Sequence, residues 1–147
     1  MKRNAYIDFL NKYLQSNPDA LLWALSYGLY VHSIDDIIDG DKNDSEFILK
    51  TFEYALIVYA YPFFVQHIQM LYPLCKMASN TYMDSVLMER SSNKWDKNYA
   101  DVLRQMGNEV ILAVIEIVCG LNVRRHASIE LREISYKMHH DQLGNPV

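Results

Sequence analysis

Two cysteines in 147 residues are too few to staple a small secreted domain. Cys75 and Cys119 lie far apart in apolar settings without metal-ligand spacing, and read as reduced core thiols. Neither has a nearby histidine arrangement, and no strand-turn-helix serine elbow exists, so nucleophilic catalysis finds no support. A long apolar run is also lacking. The longest, Ala55 to Val65, is interrupted by Pro62 and followed by Gln66 and His67, too short for a membrane span. Asp8, Asn11 and Lys12 break up any signal-peptide core behind the N-terminus, so the expected location is the cytoplasm. Excess positive charge is missing too. A net charge of -4 argues against nucleic-acid binding, although Arg124-Arg125-His126 forms a small basic patch.

What is present is the composition of a folded protein: 50% hydrophobic, 22% charged, with eleven tyrosines and five phenylalanines. One domain over residues 1–142, with a loose tail at 143–147, is the expectation at this length. No internal repeat or low-complexity tract appears. Apolar residues recur at helical spacing throughout, so the expected class is all-α, a single bundle of about six helices. Asn4 to Gln15 forms the first. Asn17 and Pro18 open a second that runs to Asp39 and is stopped by Gly40. Phe47 to Tyr61, Phe63 to Ala78 and Thr81 to Glu89 follow, with Pro62 as a break and Pro73 as a possible kink. Beyond a polar linker at Arg90 to Lys97, Tyr99 to Cys119 is the longest remaining helix, and Ser128 to His140 the last. Adjacent His139 and His140 diverge by ~100° and cannot easily converge on one ion, so zinc is not expected.

The run Asp35-Asp36-Ile37-Ile38-Asp39 places three carboxylates on one turn of an otherwise apolar helix. Carboxylates at a helix C-terminus repel one another and face the unfavourable end of the macrodipole, so they call for a cation. Magnesium suits them, because it takes one or two carboxylates, keeps several waters and completes its shell with substrate phosphate oxygens. At ~100° per residue His32, Asp35, Asp36 and Asp39 share one stripe, opposite Trp23, Tyr27, Tyr30, Ile34, Ile37 and Ile38. One to two turns earlier the same stripe holds Leu25, Gly28 and Leu29, an apolar surface with a small residue that suggests a cleft wall. A partner set is expected on the helix from Tyr99 to Cys119, where Asp101, Gln105, Asn108, Glu109, Leu112 and Glu116 fall on one side. Glu116 interrupts an otherwise apolar run. Arg104, Arg124 and Arg125 are candidate phosphate clamps through forked hydrogen bonds, and Lys94 or Lys97 could close over the ligand. Ordinary solvated charge is the alternative reading for each of these polar residues.

The segment His32-Ser33-Ile34-Asp35-Asp36-Ile37-Ile38-Asp39-Gly40-Asp41 resembles the first aspartate-rich motif of the trans-isoprenyl diphosphate synthase and terpenoid synthase superfamily. The resemblance covers about ten residues, and the chain is roughly half the usual family length. It implies an α-helical bundle with Asp35, Asp36 and Asp39 as Mg2+ ligands and Asn108 and Glu109 standing where the family has its second acidic motif; from their places on the two helices, His32, Gly28, Arg104, Gln105 and Glu116 are expected near the substrate. No complete second motif can be read. A half-size bundle could form a homodimer, act on one smaller diphosphate, or retain only the metal-diphosphate site. Three functions stay open: a magnesium-dependent transferase or lyase on a diphosphate-bearing substrate, an all-α nucleotide pyrophosphohydrolase, and a non-catalytic viral protein that captures a phosphorylated ligand or a protein partner.

Overall fold

The computed structural model describes residues 2–142, with side chains described from residue 4 to residue 137. Every regular element among them is helical. Helix α1 (Lys2–Leu14) is followed by a cap in which Asn17 takes extended backbone and accepts the Ala20 N–H at 3.1 Å, with Pro18 at the first position of α2 (Pro18–Ile38). Asp44 opens α3 (Ser45–Ala60) in the same way, accepting the Phe47 N–H at 3.0 Å. Pro62 forces Tyr61 into extended backbone, which ends α3 and starts the short α4 (Pro62–Gln66).

Several boundaries depart from the sequence reading, among them the last helix, which starts at Leu121 rather than at Ser128, and a break at His67 within the expected helix from Phe63 to Ala78. Phe63 to Ala78 and Thr81 to Glu89 were expected as separate pieces, whereas α5 (Ile68–Glu89) is continuous through Pro73. The bond that Pro73 cannot donate falls on the exposed side of the helix, where the Gln69 carbonyl can bond water. The polar linker is shorter than expected. Asn93 accepts the Trp95 N–H at 2.9 Å and starts α6 (Lys94–Arg104). Finally, the expected helix from Tyr99 to Cys119 is interrupted by a 3-10 turn at Gln105–Gly107, after which α7 (Asn108–Cys119) begins on a new phase. Gly120, at φ 90°, then turns the chain into α8 (Leu121–Gln142). The side chains of His139 and His140 and the tail at 143–147 lie outside the described residues.

Helix α7 is the axis of the bundle. Val110, Ile111, Leu112, Ala113, Val114 and Ile115 are all buried, the signature of a helix enclosed on every side. It packs against α1, α2, α5 and α8. An aromatic block sits beside it: Trp23 is fully buried, lies near-parallel to Tyr27 and Phe64 at 5.2 and 5.7 Å, and donates its indole N–H to the Val58 carbonyl at 2.9 Å. Helices α3 and α6 are peripheral, packed chiefly on α2 and on α5 respectively. Among the described residues no helix is long and apolar enough to cross a membrane.

Candidate functional site

The C-terminus of α2 is closed by a Schellman turn. Asp41 N–H donates to the Asp36 carbonyl at 2.9 Å, Gly40 N–H donates to the Ile37 carbonyl at 3.2 Å, and Gly40 supplies the required left-handed residue at φ 79°. This turn separates the three aspartates. It brings Lys42 back over the helix, so that its ammonium lies 3.5 Å from Asp36, while His32, one turn earlier, approaches the other Asp36 oxygen at 3.8 Å. Asp36 therefore belongs to the loop side.

Asp35 and Asp39 belong to a different neighbourhood. The Tyr82 hydroxyl of α5 donates to Asp35 Oδ1 at 2.5 Å. Arg104, at the end of α6, places its guanidinium 5.7 Å from the centre of the Tyr82 ring, donates from Nε to Ser85 Oγ at 3.3 Å, and pairs with Glu89. Burial pushes the Tyr82 phenol up, and its bond to Asp35 pushes it further, so Tyr82 acts as a neutral donor. Asp39 is raised above the usual 3.8, first by partial desolvation and then by Asp35. Arg104 opposes this, and Glu89 and Asp41 add to it. Glu89 thus pairs with the Arg104 guanidinium, Asp39 feels it through space, and Asp35 is held by Tyr82.

The second expected set lies elsewhere. Glu109 is held by Arg124 at 2.7 Å and by Arg132, Arg124 also approaches Glu116 at 3.4 Å, and Asn108 exchanges hydrogen bonds with Ser135. All of these contacts tie α7 to α8. Glu109 is not among the leading charges that act on Asp39. The expected stripe from Asp101 to Glu116 presupposed one continuous helix, and the 3-10 turn breaks its register. Gln105 lines an open depression of about 420 Å³ with Ile129, Arg132, Glu133, Tyr136 and Lys137. A second depression is lined by Asp44, Glu46, Phe47 and Lys50. Neither contains an aspartate of the motif. Gly28 is not a cleft wall, because a Cβ there would come within 3.3 Å of the Tyr6 ring of α1.

Among the described residues no group of three or more His, Cys, Asp or Glu is disposed to hold a metal ion. Asp35 and Asp39 offer two carboxylates on successive turns, which suits magnesium only when the ligand brings further oxygens. The thiols take no part: Cys75 is buried, with burial pushing it up to about 11, and Cys119 is also raised by burial.

Tyr82, Ser85 and Glu89 escaped the sequence reading, yet a signal was there. Leu71, Cys75, Ala78, Tyr82, Ser85 and Glu89 follow one alternating spacing of four and three, the inner stripe of α5. Its first half is apolar and its second half polar. A stripe that turns polar while Ser85 stays buried marks the place where it meets polar partners on α2 and α6. Comparison with family models, with curated proteins and with solved structures finds no match to this chain.

Proposed function

We propose that the protein binds a diphosphate-bearing small molecule through magnesium held at Asp35 and Asp39. The observation that carries this reading is the gathering of acids at the junction of α2, α5 and α6, where Arg104 pairs with Glu89 and lowers Asp39 through space while Asp35, bonded to the neutral Tyr82, raises Asp39. A divalent cation bound to two of these carboxylates relieves their repulsion, and the diphosphate completes its shell. The residues have separable parts in this. Asp35 is oriented by the Tyr82 hydroxyl. Arg104 presents a guanidinium that can exchange Glu89 for a phosphate oxygen in the same forked geometry. Asp36 keeps Lys42 folded over the end of the helix, where its ammonium offers a second positive charge. When bound, magnesium would supply neutralisation of charge on a departing diphosphate, the chemistry a transferase or lyase of the isoprenoid-synthase kind requires. Such turnover also needs an apolar chamber next to the acids, and the two depressions described above lie away from them. Binding is accordingly the core of the proposal.

Titration calorimetry with inorganic pyrophosphate and with isoprenyl diphosphates, in magnesium and in chelator, tests it on wild type and on Asp35→Asn with Asp39→Asn. The expected result is magnesium-dependent binding that the paired substitution removes. Binding that persists in chelator, or that the substitution leaves intact, would overturn the reading.

A further inference from the structure

Helix α3 is apolar on both sides. Its inner side, with Thr51 and Val58 buried, packs on α2 and α4. Its outer side carries Ile48, Leu49, Phe52 and Leu56, between 45% and 69% exposed, with Tyr59 at its edge, where the ring packs on Tyr30 and Phe64. At ~100° per residue these five fall within one stripe about 100° wide. No charged residue interrupts it, because Glu46, Lys50 and Glu53 lie to one flank, and Lys50 is turned towards the Tyr54 ring at 6.0 Å. An amphipathic surface helix would put its polar residues on such a face.

We propose that this stripe is the contact between two copies of the chain, packed antiparallel about a two-fold axis through Phe52. Ile48, Phe52 and Leu56 form a ridge of i±4 spacing with Phe52 at its middle, so a half-turn about Phe52 lays Ile48 of one copy beside Leu56 of the other. A contact of this kind is self-complementary and closes at two copies. The stripe exposes on the order of 500 Å² per copy, so a pair hides at most roughly 1,000 Å², below the ~1,200 Å² at which standard specific interfaces begin and in the range of weak, reversible contacts.

A rival surface exists on α6, where Trp95, Tyr99 and Val102 are also exposed. It is shorter, and its i±4 row, Trp95, Tyr99 and Leu103, ends on a residue that is only partly exposed, so it offers less apolar surface to a dyad than α3 does.

Sedimentation equilibrium at tens of micromolar chain tests the proposal. Wild type is expected at twice 17.2 kDa, and Phe52→Asp at the monomer mass with unchanged helical circular dichroism, since Phe52 is exposed within the chain. Phe52→Cys, oxidised with copper phenanthroline, should cross-link the dimer, whereas Leu87→Cys on the outer side of α5 should not. A monomeric wild type would overturn the proposal. So would a dimer that Trp95→Asp dissociates and Phe52→Asp does not, or equal cross-linking at both cysteine positions. A monomer that floats with phosphatidylcholine vesicles would overturn it in favour of a lipid surface.

Discussion

Two clusters of charge sit on this bundle, and they are built differently. Between α7 and α8, Glu109 and Glu116 meet Arg124 and Arg132, two anions against two cations, with Asn108 and Ser135 satisfying each other alongside. Between α2, α5 and α6, Glu89 pairs with Arg104, Asp39 feels Arg104 and the opposing charge of Asp35, and Asp35 is bonded to the neutral Tyr82. The first cluster is complete in itself and acts as a fastener. The second carries surplus negative charge, which a folded protein retains at a cost and which a bound cation would remove. A balanced cluster should weaken the fold when one member is taken away; an unbalanced one should tolerate or welcome the loss of an acid.

The largest effect expected from this contrast is that of Glu109→Ala. It strands two arginines that are partly shielded from solvent, and should cost about 2 kcal/mol, or roughly 6 °C in melting temperature. Asp39→Asn, measured beside it in urea and thermal melts, should leave stability unchanged or slightly raised. Equal losses in both variants would erase the distinction between the clusters.

Arg104→Met comes next. With the guanidinium that pairs with Glu89 gone, the α2–α5–α6 junction should lose about 1–2 kcal/mol in chelator. Magnesium should restore more of that loss than it adds to wild type, and should do nothing for Glu109→Ala. Melts of the three proteins with and without magnesium decide this.

The pH dependence sharpens the contrast further. Folding raises Asp39 above its ordinary 3.8, so the folded chain binds that proton more tightly than the unfolded chain. The penalty is present in full above the raised value and fades as pH falls through it towards 3.8. Asp39→Asn should therefore gain on wild type at neutral pH, and the gap should close in mildly acidic solution. A gap that widens on acidification would mean the sign is wrong.

The smallest effect belongs to a surface tie outside both clusters. Lys12 contacts Glu130 at 2.8 Å, and Tyr13 donates to the same carboxylate at 2.7 Å. Glu130 is lowered from 4.5, chiefly by the hydrogen bond from Lys12, so its contribution holds above that value and is lost as pH falls through the lowered one. Lys12→Met should shift the melt only slightly, and high salt should abolish the difference.

The all-α class and the start of α2 were legible because each rests on local rules. Asn17 caps, Pro18 opens and Gly40 stops, and no tertiary contact is needed to read them. The aspartate turn was legible as a cluster, but its division was not. Asp35 and Asp36 are neighbours in sequence and face different partners, because the Schellman turn folds Lys42 onto one while Tyr82, 47 residues away, takes the other. The second acidic set was misplaced for a related reason. A helical wheel assumes unbroken register, and the 3-10 turn at Gln105–Gly107 resets it just before Asn108 and Glu109. Gly28 misled in another way, since a small residue marks close approach without saying whether a ligand or the Tyr6 ring approaches.

The two ends of the chain's helical sequence are stitched together. Leu10 and Leu14 of α1 are wholly enclosed, and α1 finds its partners in α2, α7 and α8. Two of those three, α7 and α8, lie far along the sequence from α1. On the ribosome, α2 can cover part of the first helix early, but the side that meets α7 and α8 must wait until those helices have emerged. Cutting away α8 would therefore unmake the opposite end of the molecule as well, and a truncated chain should be more prone to aggregate than its composition suggests.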